Sequence, residues 1–193
     1  MTIRQVITVK PTSEPISLDL AKSHLKVETN EDDDLIIILI EVVRKWAEGT
    51  LNRALISQTW NYFINRFVDK IPLPKGPVIS ITQIDYIDTD GVTQTLSSSI
   101  YDADVNGIDG FVRRAYNQVW PSIRNTHNAI TITYVVGYGT KSSDIEKPII
   151  QGMLIYLADL YENRESFIQG GVVNNAPFSA DALLAPYRVM SFA

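Results

Sequence analysis

The sequence predicts an α+β fold: an antiparallel helical bundle carrying an inserted antiparallel β-hairpin region, with extended N- and C-terminal arms. Two segments, opening at Leu35 and at Pro148, repeat apolar residues at helical spacing on stripes wider than a solvent-facing helix needs. Between them, from Ser57 to Gly139, short runs rich in β-branched and aromatic residues are separated by Pro, Gly, Asn and Asp, the pattern of strands and turns. An apolar stripe must be buried against something, so the two long helices are expected to pack on one another, with the β region inserted between them in sequence. The expected organisation is one domain over 1–193. It has an N-terminal arm at 1–16, a bundle from 17–56 and 143–168, a β insertion at 57–139 and a C-terminal arm at 169–193.

Residues 1–16 carry Pro11 and Pro15 and alternate Ile3, Val6, Ile7 and Val9 only loosely, which predicts an extended arm able to lie on a neighbour. Ser17 is placed as an N-cap, with Asp19 in the first turn and Leu18, Ala21 and Leu25 on one stripe of a short helix reaching about Lys26. The acidic run Glu31 to Asp34 is read as capping the next helix, since carboxylates there accept from free N–H groups and meet the positive end of the dipole. That helix carries Leu35, Leu39, Val42 and Trp46, flanked by Ile36, Ile40, Val43 and Ala47, and ends near Leu51. Such breadth predicts a central position.

In the β region, Trp60, Tyr62, Ile64 and Phe67 mark a first strand. Val78 to Ile87 and Val92 to Leu96 flank Asp90-Gly91, the signature of a type I′ hairpin. Strands near Tyr101 and Phe111 flank Asn106-Gly107, and Ala129 to Val136 alternates apolar residues with Thr as a half-buried strand does. The last long helix runs from Pro148 to about Glu165, with Ile150, Leu154, Leu157 and Tyr161 on one face and Ile149, Met153 and Leu160 beside them. Gly170-Gly171 and Asn174-Asn175 loosen the chain before Phe178 to Ala193, which is apolar again. Two readings of this tail stand open: it folds back on its own bundle, or it docks on another subunit. No internal repeat or low-complexity stretch is present.

Composition narrows the chemistry. With 193 residues, 45% hydrophobic and 20% charged, the chain is of ordinary globular type and long enough to remove roughly 70% of its unfolded surface from water. The absence of cysteine excludes disulfides, thiolate metal sites and cysteine nucleophiles. The longest apolar run, Leu35 to Ile40, is far shorter than a membrane span, and residues 1–20 lack the pattern of a signal peptide, so synthesis in the cytoplasm is expected. A formal net charge of -5 argues against a tight grip on a phosphate backbone, which needs clustered Lys and Arg. It is compatible with DNA sliding past without sticking.

Three patterns invite a catalytic or ligand-binding reading, and each fails on spacing. Asp102-x-Asp104-x-Asn106-Gly107 copies the first half of an EF-hand loop, but position twelve, where a bidentate carboxylate closes the site, is Arg113. A turn in which Asp and Asn bond their own backbone accounts for it. Gly137-Tyr138-Gly139-Thr140-Lys141-Ser142 follows a strand and precedes a helix as a P-loop does. Yet Thr140 stands where Gly must precede the Lys, and Val135 stands at the other required glycine. His24 and His127 are the only imidazoles, neither in a nucleophile pattern; His24 is expected to be partly buried and hydrogen-bonded. No catalytic, cofactor-binding or metal-binding residue is assigned, no cofactor is expected, and the chain is read as a non-enzyme.

A family resemblance covers most of the chain, from about residue 15 to 190. The stretch Ser17-Leu-Asp-Leu-Ala-Lys-Ser-His-Leu-Lys-Val, then Glu31-Asp-Asp-Asp-Leu opening a helix that closes in Leu51-Asn-Arg-Ala-Leu, resembles the N-terminal half of phage head-tail connector proteins of the gp6-like type. In the same order follow Leu73-Pro-Lys-Gly-Pro-Val-Ile-Ser-Ile, Trp120-Pro121, Ile132-Thr-Tyr-Val-Val-Gly-Tyr-Gly, Leu160-Tyr-Glu-Asn-Arg-Glu and Leu183-Leu-Ala-Pro-Tyr-Arg-Val, similar to the family's larger members with the β insertion. The resemblance implies a structural virion protein, a head-tail adaptor. It would form a ring, expected to be a dodecamer, under the portal and join the DNA-filled head to a stopper or tail-completion protein. DNA is passing cargo in the bore, no membrane is involved, and the location is the virion neck after assembly in the host cytoplasm. The alternatives are another neck component, a stopper or tail terminator, or a small nucleotide- or metal-dependent enzyme. Within this frame the C-terminal arm is expected to dock on the portal through Leu183, Leu184, Pro186, Tyr187, Arg188 and Val189, Tyr and Arg being residue types favoured at interfaces.

Overall fold

The computed structural model describes residues 4–107, 110–163 and 177–189, and it divides into two compact units. One is helical, built from 13–55 with residues after 138. The other is a β unit, built from the first twelve residues with 56–138. Antiparallel sheets in one unit and packed helices in the other make the fold α+β, as the sequence predicts.

In the helical unit, α1 spans Leu18–Leu25 and α2 Asp33–Leu51. Ser17 caps α1 as expected, its hydroxyl oxygen accepting from the Leu20 N–H at 3.2 Å. Both helices close on a residue in the left-handed region, Lys26 at φ 58° and Asn52 at φ 55°, which turns the chain back and satisfies the last carbonyls. α3 spans Lys147–Glu162, with Pro148 in its first turn, where the missing N–H leaves no intrahelical bond unmade. Ile36, Ile40, Val43, Ala47 and Leu51 of α2 and Ile149, Met153, Leu154 and Leu157 of α3 are buried. Each large aliphatic among them contributes about 1.5–3 kcal/mol relative to exposure. The Trp46 and Tyr156 rings, 4.5 Å apart, join the two helices.

The acidic run does something other than cap. Asp32 occupies the N-cap position of α2, but its side chain bonds no helix N–H. Its carboxylate accepts from the Tyr161 hydroxyl on α3 at 2.5 Å, and Asp33 takes the Lys22 ammonium of α1 at 2.6 Å. The run therefore ties three helices together, while Asp33 and Asp34 still lie in the first turn, where the dipole favours them. Arg44, buried in the same unit, is held by Glu14 at 2.7 Å and Glu48 at 3.2 Å. Burial opposes its charge, but the hydrogen bonds and charges of the two carboxylates outweigh burial and raise its pKa above the ordinary value.

The β unit holds a five-stranded antiparallel sheet and a three-stranded one. Its strands are β1 Arg4–Val9, β2 Gln58–Ile64, β3 Lys70–Leu73, β4 Val78–Ile87, β5 Thr93–Thr95, β6 Tyr101–Asp104, β7 Gly110–Arg114 and β8 Ile130–Val136. The larger sheet runs β1-β2-β8-β4-β5 and the smaller β3-β7-β6. Central strand β8 buries Ile130, Ile132, Tyr134 and Val136 and leaves Thr131 and Thr133 on the other face, the period of two the sequence displays. The Tyr134 hydroxyl donates to the Pro74 carbonyl at 2.9 Å. Phe67, read as part of the first strand, lies beyond the end of β2, and its ring stacks on Trp120 at 4.5 Å.

Several boundaries differ from expectation for identifiable reasons. The residues expected as an N-terminal arm include β1, which pairs with β2 in the register Ile7 to Trp60. β3 was not foreseen; it is short and contains Pro72, which an edge strand tolerates because its outward N–H has no ladder partner. The Asp90-Gly91 hairpin is not type I′, since that turn needs positive φ at both central residues and only Gly91, at 88°, has it. The loop instead has three residues, Thr89 to Gly91. The Asp88 N–H donates to the Val92 carbonyl at 2.9 Å, and the Gly91 N–H donates to the Asp88 carbonyl at 3.0 Å. The Asp88 carboxylate accepts from Gln94, from the Val92 N–H and from the Asp90 N–H, which lowers its pKa. The linking residues Gly170-Gly171 and Asn174-Asn175, and the end of the last helix toward Glu165, lie outside the described residues.

Candidate interaction surfaces

The C-terminal segment forms α4, Phe178–Leu184, then a 3-10 turn over Ala185–Tyr187. α4 lies on α3 at Gly152, where any Cβ would run into the Leu184 side chain and lie 3.2 Å from the Ala180 carbonyl. Beyond the turn, the Arg188 guanidinium Nε donates to the Thr50 carbonyl and the Val189 N–H to the Leu51 carbonyl, both at 2.9 Å. Of the tail's two open readings, the described residues take the first: the segment lies on its own helices. Leu184 is fully buried there. Leu183, Tyr187 and Val189 are half-buried, whereas Pro186 and Arg188 are exposed. Phe178 is 87% exposed at the start of α4, beside a shallow depression shared with Asp181, Ala182, Ala185 and Arg188.

Two further surfaces are exposed and apolar, one of them within the N-terminal residues expected to lie on a neighbour. The outward stripe of α2 presents Ile37, Ile38 and Val42 to solvent, interleaved with Asp34 and Glu41. Edge strand β1 presents Val6, Ile7 and Val9. For α2 the signal was an apolar pattern too broad for one buried face; for β1 it was a loose alternation.

Residues that suggest chemistry are occupied structurally. Asp104 accepts from the Asn106 N–H at 3.0 Å and Asp102 faces Arg113 at 3.7 Å, so the EF-hand-like stretch is a strand end and a turn. Among the described residues no group of carboxylates and histidines can hold a metal ion. In the glycine turn, the space beside Gly139 is filled by the Asp144 carboxylate, which accepts from the Lys141 N–H at 3.1 Å, and the Ser142 hydroxyl donates to the Pro15 carbonyl. The chain's own carboxylate thus stands where a phosphate would need to lie. His24 is exposed rather than partly buried, and so is His127. Elsewhere Tyr62, Tyr101, Tyr134 and Tyr156 have pKa values raised by burial, the ordinary result of packing a phenol. No helix among the described residues is long and apolar enough to cross a membrane.

The described residues thus present an apolar outer stripe on α2, an open sheet edge at β1 and a tail folded back on its own helices. Residues 15–107 match the family of phage gp6-like head-tail connector proteins, the family that the sequence motifs resemble. The motifs from Trp120 onward lie beyond that match. Over the whole chain the fold is that of a chain in the neck of the empty gene transfer agent (GTA) particle computed with C6 symmetry, with a TM-score of 0.77. It is also that of chains in the virion of the native GTA particle and in the native neck computed with C12 symmetry, with TM-scores of 0.75 and 0.74. Identity is 20% in each case, with 100% of this chain and 98% of the other covered. No curated protein matches the chain. The matched family is one of connectors, not of enzymes.

Proposed function

We propose that the chain is a head-tail adaptor of a virion neck, a structural subunit that assembles as a ring under the portal and joins the DNA-filled head to a stopper or tail-completion protein. The observation that carries this reading is the conjunction of the connector-family match over 15–107 with a fold shared along the whole chain with neck subunits. Ring copy number is expected to be twelve, in line with the C12 symmetry used for the native GTA neck. DNA passes through the bore without being held. In support, the helical unit carries 9 of the 17 Lys and Arg but 15 of the 22 Asp and Glu, a net negative balance that disfavours a grip on phosphate.

The portal contact is assigned to the C-terminal segment. With Leu184 engaged in its own core, the surface offered is Pro186, Tyr187 and Arg188 together with exposed Phe178. Aromatic and Arg side chains are the types that dominate binding energy at interfaces. The test is co-sedimentation of the purified chain with tailless, portal-bearing heads of its own phage. Capture is expected, with loss of capture in the Tyr187→Ala, Arg188→Glu double variant. Failure of the wild-type chain to associate would overturn the adaptor reading; unchanged capture of the double variant would overturn the portal assignment alone.

A further inference from the structure

Two exposed apolar strips in this chain are framed by opposite charges. On α2, Asp34, Ile37, Ile38, Glu41 and Val42 share one outward stripe, spaced as successive helical turns require, with Ile38 59% exposed. Glu41 also holds Lys45 at 2.6 Å, within the same stripe. At the edge of the larger sheet, Val6, Ile7 and Val9 of β1 are exposed, with Val6 at 49%, and exposed Arg4 and Lys10 flank them. On α2 the carboxylates of Asp34 and Glu41 alternate with the exposed apolar side chains, and on β1 Arg4 and Lys10 close the two ends of the apolar run. An exposed apolar edge strand is a template for pairing that native proteins usually cover.

The charge balance of the two units points the same way. The β unit holds 8 Lys and Arg against 7 Asp and Glu, whereas the helical unit holds 9 against 15. A β-unit surface of one copy therefore meets a helical-unit surface of another with favourable electrostatics. Like-with-like contacts bring Arg4 and Lys10 against their own counterparts, or Asp34 and Glu41 against theirs. Symmetry makes the same choice. A ring of more than two copies closes only through a heterologous contact, in which one face of each copy meets a different face of the next.

We propose that the β1 edge of one copy docks on the outward α2 stripe of the next, Val6 and Val9, which share a face with Arg4, against Ile37, Ile38 and Val42, with Arg4 and Lys10 beside Asp34 and Glu41. The occupant of each strip is a second copy of this chain. The inference rests on the ring reading above and names its subunit contact.

The chain contains no cysteine, so single engineered thiols report contacts without background. Val6→Cys and Ile38→Cys chains of distinguishable mass are mixed at high concentration, with and without portal-bearing heads, and treated with a short bismaleimide. The expected result is that the mixed dimer exceeds both same-variant dimers several-fold, and that a chain carrying both cysteines gives a ladder ending at ring size. Both positions are exposed, and unchanged thermal unfolding of each variant verifies the fold. Same-variant dimers in equal or greater yield, or no dimer at all, overturn the contact. Sedimentation of the wild-type chain on the same heads separates the two claims. Ring-size species without the mixed crosslink sink the contact and leave the ring reading; the mixed crosslink without ring-size species does the reverse.

Discussion

The hydroxyl of Tyr161 donates to the carboxylate of Asp32 at 2.5 Å, fastening the end of α3 to the start of α2 across 129 residues of sequence. A hydrogen bond to a charged acceptor contributes about 1.5–3 kcal/mol, and the phenol ring itself packs in the helical unit. Tyr161→Phe keeps the ring and removes the bond. The variant is expected to unfold about 3–12 °C lower, at roughly 2–4 °C per kcal/mol for a chain of this size. Differential scanning calorimetry checks it; an unchanged midpoint contradicts the structural role of the pair.

Gly152 allows α4 to lie on α3, because a methyl group there collides with Leu184. Gly152→Ala is therefore expected to loosen the C-terminal segment before it affects the rest, at a cost of about 1–3 kcal/mol from overpacking. Hydrogen exchange at residues 178–189 rises in the variant while exchange in α2 stays slow. Equal protection in both proteins would mean that the two helices separate without loss.

Burial pushes the Tyr134 phenol well above its ordinary pKa, and its hydroxyl donates to Pro74. A folded-state pKa raised above the unfolded value means that the contribution is fully present below about pH 10 and is lost as pH rises past it, because only the unfolded chain ionises readily. The β unit is thus expected to lose stability in alkali. Tyr134→Phe costs about 1 kcal/mol at neutral pH through the lost hydrogen bond and flattens the alkaline decline. Urea midpoints measured between neutral pH and pH 11 decide the matter, and parallel curves for the two proteins would contradict it.

What could be read from the sequence was what is local. Ser17 announces α1 because an N-cap acts within one turn, and Val78 to Ile87 announces β4 because a run of β-branched residues between Pro77 and an Asp-Gly turn has few other uses. Long-range partners were not legible. Nothing near Asp32 states that its acceptor is taken by Tyr161, so the acidic run looked like a cap. β1 looked like a free arm because pairing with β2 depends on residues some fifty positions away. The tail was recognisable as apolar, but its resting place depends on Gly152, a helix glycine whose only signal is its small size. Leu184, one of the six residues expected at the portal contact, is buried in the described fold, and hydrophobicity alone does not distinguish an interface from a core.

The Asp88 carboxylate gathers its bonds only when ionised, so its lowered pKa marks a contribution to the β4–β5 turn present above about pH 4 and lost as pH falls through the folded value. The protection of the Asp90 and Val92 amides, measured against the intrinsic exchange rate at each pH, is expected to fall in acid. Asp88→Ala is expected to show the acid behaviour at neutral pH, and slow exchange at both amides in that variant would contradict the assignment.

The proposed function makes this chain a ring-forming connector. Electron cryomicroscopy of portal-bearing heads incubated with the purified chain tests it most directly. The account predicts an added ring beneath the portal, with twelve copies fitted by this fold around an open bore. Bare portals beside a chain that remains monomeric at every concentration would contradict it.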